Sequence, residues 1–200
     1  SFLPQDYKVP TSSNYLKLTE GEHTFRVLSS AIVGYEYFTT DNKPIRSEEA
    51  FEYTPNMKAG GRVSPFWAFV IYNYDEKRIQ IMEITQKTIM FPIKALIDNK
   101  KWGDPHNFDL TITRKGAGKQ DTEYSVMPNP HTPLDPVIKQ AYEATPIDLN
   151  ALFTGADPFG GNTSTSTPNT PISEPQGVDT SGIEAGLDEV FPDEPPTPAD

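Results

Sequence analysis

Residues 65–74, PFWAFVIYNY, form the most restrictive pattern in the sequence, because they are apolar or aromatic on both faces of the strand that they predict. Alternate side chains of a strand point to opposite faces, so Trp67 lies on one face while Phe66, Tyr72 and Tyr74 lie on the other. One face has to fill the interior of a β-barrel. The other face either packs under a long connection or stays accessible as a surface rich in flat rings, and the alternation leaves both alternatives open.

The order of the remaining patterns predicts a fold that is mainly β. A long β segment precedes this strand, and another strand follows it after a short turn, which gives a hairpin. An amphipathic stripe then predicts a helix, and Pro92 must start or kink that helix because proline lacks the amide donor. Two strands joined by a glycine-containing turn come next. The segments are 24–38, 65–74 and 78–84 for three strands, 85–99 for the helix, 107–113 and 122–127 for two strands, and 134–144 and 147–153 for short helices.

Three strands, one helix and two strands are the element order of an OB-fold. This fold is a five-stranded, partly open barrel with a helix between its third and fourth strands. We predict it for residues 1–153, with residues 39–64 as a long arm between the first two strands. A connection of 26 residues is long for a structureless loop, which suggests a functional arm or an inserted element.

The charge of the chain is unevenly placed. The formal net charge is −11, yet residues 1–140 hold all 17 Lys and Arg together with 17 Asp and Glu, and residues 141–200 hold 11 acids and no Lys or Arg. The predicted body is therefore neutral overall. The acidity of the whole chain does not exclude a nucleic acid as its partner.

Residues 154–200 predict a disordered linker that ends in an acidic tail. Gly, Ser, Thr, Pro and Asn dominate residues 154–182 and bury too little apolar surface to offset the entropy of ordering. In residues 183–200 a few apolar side chains stand among carboxylates. This segment is either a solubilising tail or a docking peptide that also competes with an anion for a basic groove. The candidate partner-binding residues are Asp188, Glu189, Phe191, Asp193 and Glu194.

Patterns typical of catalysis and of metal binding are lacking. The sequence has no cysteine, and none of its three histidines has a second His at metal-ligand spacing. Residues 115–119, KGAGK, resemble the end of a P-loop, but Gln120 stands where Ser or Thr should hold magnesium. We expect no cofactor and no enzyme activity, with a nuclease that uses Asp104 and Asp109 as a distant alternative.

We also expect a protein that is neither inserted in a membrane nor exported. No segment approaches the roughly 18 to 20 consecutive apolar residues of a transmembrane helix. Residues 1–14 lack the charged and apolar regions of a secretory signal.

Aromatic and basic side chains supply the strongest functional pattern. Bases of a single strand stack on accessible rings with about 1 to 3 kcal/mol per base, whatever the sequence, while Lys and Arg track the phosphates. The arm interleaves both types, and the loop at residues 115–119 is either a phosphate-binding hairpin tip or a solvated turn. The pattern favours sequence-independent binding of single-stranded DNA, or of RNA, which an aromatic platform stacks equally well. The candidates for stacking are Tyr35, Tyr37, Phe51, Tyr53, Trp67, Tyr72 and Tyr74, and the candidates for phosphate contact are Arg46, Lys58, Arg62, Lys77, Arg78, Lys101, Arg114, Lys115 and Lys119.

The element order, residues 102–127 (WGDPHNFDLTITRKGAGKQDTEYSVM) and the acidic end together resemble the single-stranded DNA-binding proteins of tailed bacteriophages. The resemblance covers about residues 15–135 and the tail. It implies an OB-fold that coats and protects intermediates of DNA replication, recombination and repair in the cytoplasm of the infected bacterial host. It also implies an acidic C-terminus that recruits replication and recombination proteins.

The sequence departs from that family in two places. It lacks the Cys and His zinc site of some phage members, and it continues past Phe191 to Asp200, whereas the bacterial versions end on an apolar residue. The alternative from another functional class is a β-rich interaction or structural module of a phage particle, whose aromatic face would dock protein.

Overall fold

The computed structural model describes residues 13–116, 118 and 121–160. Its architecture is mainly β, as predicted, with one sheet of seven antiparallel strands and few helices. The strands are β1 (Gly21–Val27), β2 (Ile32–Phe38), β3 (Pro44–Ser47), β4 (Ser64–Asn73), β5 (Arg78–Ile84), β6 (Phe108–Lys115) and β7 (Glu123–His131); the helices are α1 (Lys87–Asp98), α2 (Pro136–Glu143) and α3 (Ala151–Thr154), and a 3-10 turn at Pro105–Asn107 leads into β6.

Strand β4 is the centre of the sheet, because it pairs with β1, β2 and β5. Strand β1 also pairs with β6, which pairs with β7, and β2 pairs with β3 at the other edge. Among the described strands β5 and β7 do not pair, so the sheet is not closed. Helix α1 connects β5 to β6 and contacts β7.

The segment predicted as one strand over residues 24–38 forms two strands, β1 and β2. The residues between β1 and β2 stay hydrogen-bonded to β4. The amide of Leu28 donates to the carbonyl of Val70, and the amide of Val70 donates to the hydroxyl of Ser29, both at 2.9 Å. A second difference lies in the arm, which contains the short strand β3. The arm is therefore part of the sheet, and the five predicted strands are seven in the structure.

The inner face of the sheet packs against α1, as the amphipathic stripe predicts. Phe69 and Ile71 of β4 join Phe25 of β1 and the buried face of the helix in one apolar core. Pro92 lies inside the helix and does not start it. The buried helix residues are Ile89, Met90 and Ile93.

The outer face of the sheet is covered by residues 134–159. Phe66 and Ala68 of β4 pack with Leu152 of α3, and Val70 packs with Ile138 of α2. The prediction left this face either under the arm or accessible. The accessible alternative is wrong because residues 134–159 cover most of the face, while Arg46 of the arm lies over Phe66.

The folded body extends beyond the predicted boundary at residue 153. Pro158 is buried, and its carbonyl accepts a hydrogen bond from the amide of Asp148 at 3.0 Å. Phe159 packs against the outer core. Residues 154–160, which were predicted to belong to the linker, thus pack on the body. The rest of the predicted linker and tail, residues 161–200, lies outside the described residues.

A buried arginine ties this C-terminal segment to the sheet. Arg26 is 1% exposed, pairs with Asp109, and donates to the carbonyl of Thr132 at 3.0 Å. The hydroxyl of Tyr74 donates to the same carboxylate at 3.0 Å. Burial, together with this hydrogen bond, raises the pKa of Tyr74 to about 12. The bond from Arg26 to Thr132 therefore fixes the chain just after β7, where it turns onto the outer face of the sheet.

Candidate nucleic-acid interface

A cleft of about 740 Å³ opens at one end of the sheet, where the end of the arm meets the connection from β5 to α1 and the hairpin of β6 and β7. Four separate segments of the chain contribute to its wall. The lining residues are Arg62, Val63, Ser64, Pro65, Thr85, Gln86, Lys87, Thr88, Arg114, Thr122 and Tyr124. Three of these side chains are cationic, and none of them is acidic.

Strand alternation places Arg114 in this cleft. Phe108, Leu110 and Ile112 of β6 are buried on the inner face. Arg114 is the next residue of the same face, and its partner across the strand pair is Tyr124. The inner apolar core therefore ends, at this end of the sheet, in the guanidinium of Arg114 and the phenol ring of Tyr124.

The guanidinium of Arg114 is held by a backbone carbonyl and has no carboxylate partner among the described residues. Its Nη1 donates to the carbonyl of Leu18 at 2.7 Å, and its Nε is shielded from solvent without a hydrogen-bond partner in the described chain. Arg26 and Arg46 each pair with a carboxylate, whereas no described Asp or Glu lies within ion-pair distance of Arg114. A partly buried cation without a counter-charge favours an anion nearby.

One aromatic ring, Tyr124, lines the cleft, and a second, Tyr35, lies on the strand next to the one that lines it. Tyr35 of β2 is paired with Pro65 of β4, which lines the cleft, and cross-strand partners share a face. The side chain of Tyr35 is 38% exposed. Tyr124 is half-buried, with its ring against the inner core and in the cleft wall. The exposed ring is the one that a base can reach.

Three of the other predicted stacking residues, Tyr37, Tyr72 and Tyr74, are packed within the body. Tyr37 is 2% exposed, donates to the carbonyl of Pro55 and contacts Phe51 edge-on at 4.9 Å between ring centroids. Tyr72 and Tyr74 pack in the outer core against the C-terminal segment. The prediction of Tyr37 as an accessible stacking residue is wrong, because its ring is buried. Tyr72 and Tyr74 are half-buried by the C-terminal segment, and their stacking role stays a prediction.

Trp67, Phe51 and Tyr53 are also placed away from the cleft lining. Trp67 packs against the inner core and lines a small apolar pocket of about 120 Å³ beside residues 29–31. Phe51 is half-buried by its contact with Tyr37. Tyr53 is 78% exposed on the arm. Only Tyr53 of these three presents most of its ring to solvent.

Arg46 is engaged on the outer face and is not available to a phosphate. It donates to Glu36 at 2.7 Å and to Glu83 at 3.0 Å, and its guanidinium lies 4.6 Å from the ring centroid of Phe66. Burial raises the pKa of Glu83 although Arg46 lies beside it. Predicting phosphate contact for Arg46 was wrong, because cross-strand pairing with Glu36 places it among carboxylates.

The other predicted cations are divided between the two ends of the molecule. Lys77 and Arg78 lie at the turn after β4, about 30 Å from its start at 3.3 Å per residue. The guanidinium of Arg78 donates a hydrogen bond there to the side chain of Asn14. Lys101 lies beyond the far end of α1 from the cleft. These three residues do not join Arg62 and Arg114, so the structure does not bring the predicted phosphate contacts together.

Two predicted cations remain near the cleft without lining it. Lys115 follows Arg114, is exposed, and is paired in register with Glu123. Lys58 is exposed four residues before Arg62 and donates to Asn42 at 2.7 Å. Some predicted residues lie outside the described residues, namely Lys119, Asp188, Glu189, Phe191, Asp193 and Glu194.

The sequence interpretation missed Lys87 and Tyr124, which both line the cleft. The alternation of residues 122–127 places Tyr124 and Val126 on one face, so a signal for Tyr124 was present in the predicted strand. Lys87 starts a helix, and no local pattern distinguishes it from a solvated lysine.

Within the described ranges, no group of three or more His, Cys, Asp or Glu side chains is arranged to hold a metal ion. In the same part of the chain, none of the helices has the length and apolar character needed to cross a membrane.

No protein-family model, curated protein or solved structure matches this chain. What the protein does has to be inferred from the cleft itself, from the side chains that line it and from their charges.

Proposed function

We propose that this protein binds single-stranded DNA without sequence preference, in the cleft at the open end of the sheet. Arg62, Lys87 and Arg114 contact the phosphates, and a base stacks on Tyr35. The observation that carries the proposal is the convergence of three cations on a cleft whose described lining has no carboxylate, with the partly exposed ring of Tyr35 on the strand paired with Pro65 of that lining. Cations that follow the backbone and rings that stack any base are what sequence-independent binding of single strands requires.

The size of the cleft favours a single strand over a duplex. Its volume of about 740 Å³ lies in the range of sites that enclose small ligands, so it holds a short stretch of one strand. Stacking on Tyr35 also requires a base that is not paired and stacked within a helix. RNA meets the same two conditions, and we extend the proposal to it as a weaker or equal ligand.

We propose further that the sheet is an OB-fold. Strands β1 and β2 both pair with β4, so they act as one bent strand, and β1 pairs again with β6. Helix α1 follows the third strand of such a barrel, and β6 and β7 supply the last two. On this interpretation β3 is an addition carried by the arm.

The proposed cellular role is a non-enzymatic one. The protein would coat replication, recombination and repair intermediates in the cytoplasm of an infected bacterium, and its acidic tail would recruit replication and recombination proteins through the candidate residues of 183–200. The support is the resemblance to phage single-stranded DNA-binding proteins and the placement of 11 acids and no cation in residues 141–200.

Fluorescence anisotropy of a labelled oligo-dT tests the proposal directly. We use about 16 nucleotides, the upper end of the site sizes of one OB-fold. We expect binding near 50 mM salt, with a slope of about −2 for log affinity against log salt if three phosphates are neutralised. Oligo-dA of the same length should compete with similar affinity, and a duplex should compete poorly. No binding near 50 mM salt would end the proposal.

Exposed apolar side chains favour a second candidate function, a module that binds another protein. Val33 and Phe38 of β2, Ile45 of β3 and Tyr53 of the arm are all exposed. Exposed apolar side chains contribute to protein interfaces when they form a patch, and these four belong to the arm and to the strand paired with it. A protein partner bound with an affinity that does not change with salt, without oligonucleotide binding, would support this candidate.

A further inference from the structure

The small apolar pocket beside residues 29–31 is a second cavity that opens to solvent. Its volume is about 120 Å³, and its wall includes Trp67 and Phe69 of β4 together with parts of α1 and of the turn before β6. Among the described residues, no Asp, Glu, Lys or Arg contributes to this wall. Two of its lining residues, Ala31 and Ile97, are exposed, so a ligand can enter from solvent.

A line of exposed side chains connects the cleft to this pocket. Pro65 lines the cleft and Trp67 lines the pocket, two residues further along the same face of β4. On the neighbouring strand, Tyr35 is paired with Pro65 and Val33 with Trp67, and these two side chains are 38% and 57% exposed. The same alternation continues to Ala31, which lines the pocket. We call Tyr35, Val33 and Ala31 the apolar track, which is about 13 Å long at 3.3 Å per residue.

The polar groups in the pocket wall already have partners within the protein. The hydroxyl of Ser29 accepts the amide of Val70 and donates to the carbonyl of Ser30, both at 2.9 Å. The Nδ1 of His106 lies 2.5 Å from the carboxylate of Asp104. The pocket therefore offers a ligand its shape and apolar contact. An apolar cavity of about 150 Å³ binds one benzene ring, so a pocket of this size holds one flat ring or one apolar side chain.

We propose that this pocket receives one base of the strand that the cleft binds, with the base against the ring of Trp67. The inference rests on the proposed function and adds to it a second base site, beyond the base that stacks on Tyr35. The apolar track favours a base over the side chain of a protein partner, because the track begins beside the wall of the cleft that holds the phosphates. A pocket that offers apolar contact does not read the hydrogen-bonding edges of a base, which agrees with binding without sequence preference.

The variant Ala31→Leu tests the pocket by filling it from its exposed side. It should weaken oligo-dT binding by about 5-fold or more, the loss of one stacked base. Its salt slope should equal that of the wild type, because no phosphate contact changes. Ala95→Leu, the matched control, makes the same change at an exposed position of α1 outside the pocket lining and should bind as the wild type does.

An oligomer of the same length that carries deoxyribose phosphates without bases separates the base site from the phosphate sites. Ala31→Leu should bind this abasic oligomer as tightly as the wild type does, because the variant removes only a place for a base. An equal loss of affinity for oligo-dT and for the abasic oligomer would show that the substitution disturbs the cleft, and it would overturn the assignment of the pocket.

Fluorescence of Trp67 supplies a measurement that does not depend on affinity. The chain has two tryptophans, so Trp102→Phe leaves Trp67 as the only one. Oligo-dT should quench the emission of Trp67 in this variant, because a base then lies against its ring, and the abasic oligomer should leave the emission unchanged. Combining Ala31→Leu with Trp102→Phe should abolish the quenching.

The two proposals fail in different ways. If the protein binds oligo-dT while the emission of Trp67 does not change, or while Ala31→Leu keeps full affinity, the base pocket is wrong and the proposed function stands. The pocket would then fit an apolar side chain of a protein partner. If the wild type does not bind oligo-dT near 50 mM salt, the proposed function itself fails.

Discussion

Arg114 and Tyr124 face each other across β6 and β7 at the end of the inner face, one step beyond the pair of Ile112 and Val126. The same alternation that fills the core with apolar side chains thus delivers a cation and a ring to the cleft. Because the backbone of a packed sheet fixes both positions, this part of the cleft wall is set by paired strands and not by a loop.

Neutralising the cleft cations should reduce the salt dependence of binding. Arg62→Gln and Lys87→Gln each remove one phosphate contact, so each should lower the steepness of log affinity against log salt by about 0.7. Lys77→Gln and Lys101→Gln make the same change of charge far from the cleft and serve as controls. Equal effects of all four variants in anisotropy titrations would mean that the whole surface, and not the cleft, attracts the strand.

Tyr35 should contribute affinity through its ring alone. Tyr35→Ala should weaken oligo-dT binding by about 5- to 150-fold, the equivalent of about 1 to 3 kcal/mol for one stacked base. Tyr35→Phe should keep the affinity, because stacking does not use the hydroxyl. The salt slope of Tyr35→Ala should equal that of the wild type, and a changed slope would show that the variant disturbs the phosphate contacts instead.

The sequence patterns predicted the strands and the main helix because hydrophobic periodicity is a local property. The stripe of Ile89, Met90 and Ile93 is buried as expected, and the hairpin of β4 and β5 forms where it was predicted. Which face of β4 is open depends on a segment about 70 residues away, where Ile138 and Leu152 pack on it. No periodicity within β4 carries that information.

The candidate site was harder to predict for the same reason. Arg46 looks like a free cation in a basic and aromatic arm, yet β2 and β5 bring Glu36 and Glu83 to it. Lys87 has no distinguishing local pattern and lies in the cleft because four separate segments of the chain meet there. The pairing of strands across the sheet decides which charged side chains have an ion-pair partner.

Glu83 should make stability depend on pH on the acid side of neutrality. Burial raises its pKa above the ordinary value of 4.5, so the folded state favours the protonated acid. This contribution to the unfolding free energy is fully present below pH 4.5 and is lost as the pH rises through the folded pKa. Glu83→Gln mimics the protonated form, so the wild type should lose melting temperature relative to this variant as the pH rises above 4.5. A difference that stays constant across this range in thermal denaturation would contradict the raised pKa.

Residues 134–159 should behave as core and not as a tail. Leu152 is 5% exposed in the outer core with Phe66 and Ala68, so Leu152→Ala leaves a cavity and should lower the unfolding free energy by about 2 to 4 kcal/mol. Val137 of α2 is 71% exposed, so Val137→Ala should change the unfolding free energy by less than about 0.5 kcal/mol. Urea denaturation of both variants makes the comparison. If Leu152→Ala were as stable as Val137→Ala, the C-terminal segment would not contribute to the fold, and the outer aromatic face of β4 would again be a candidate surface for a strand.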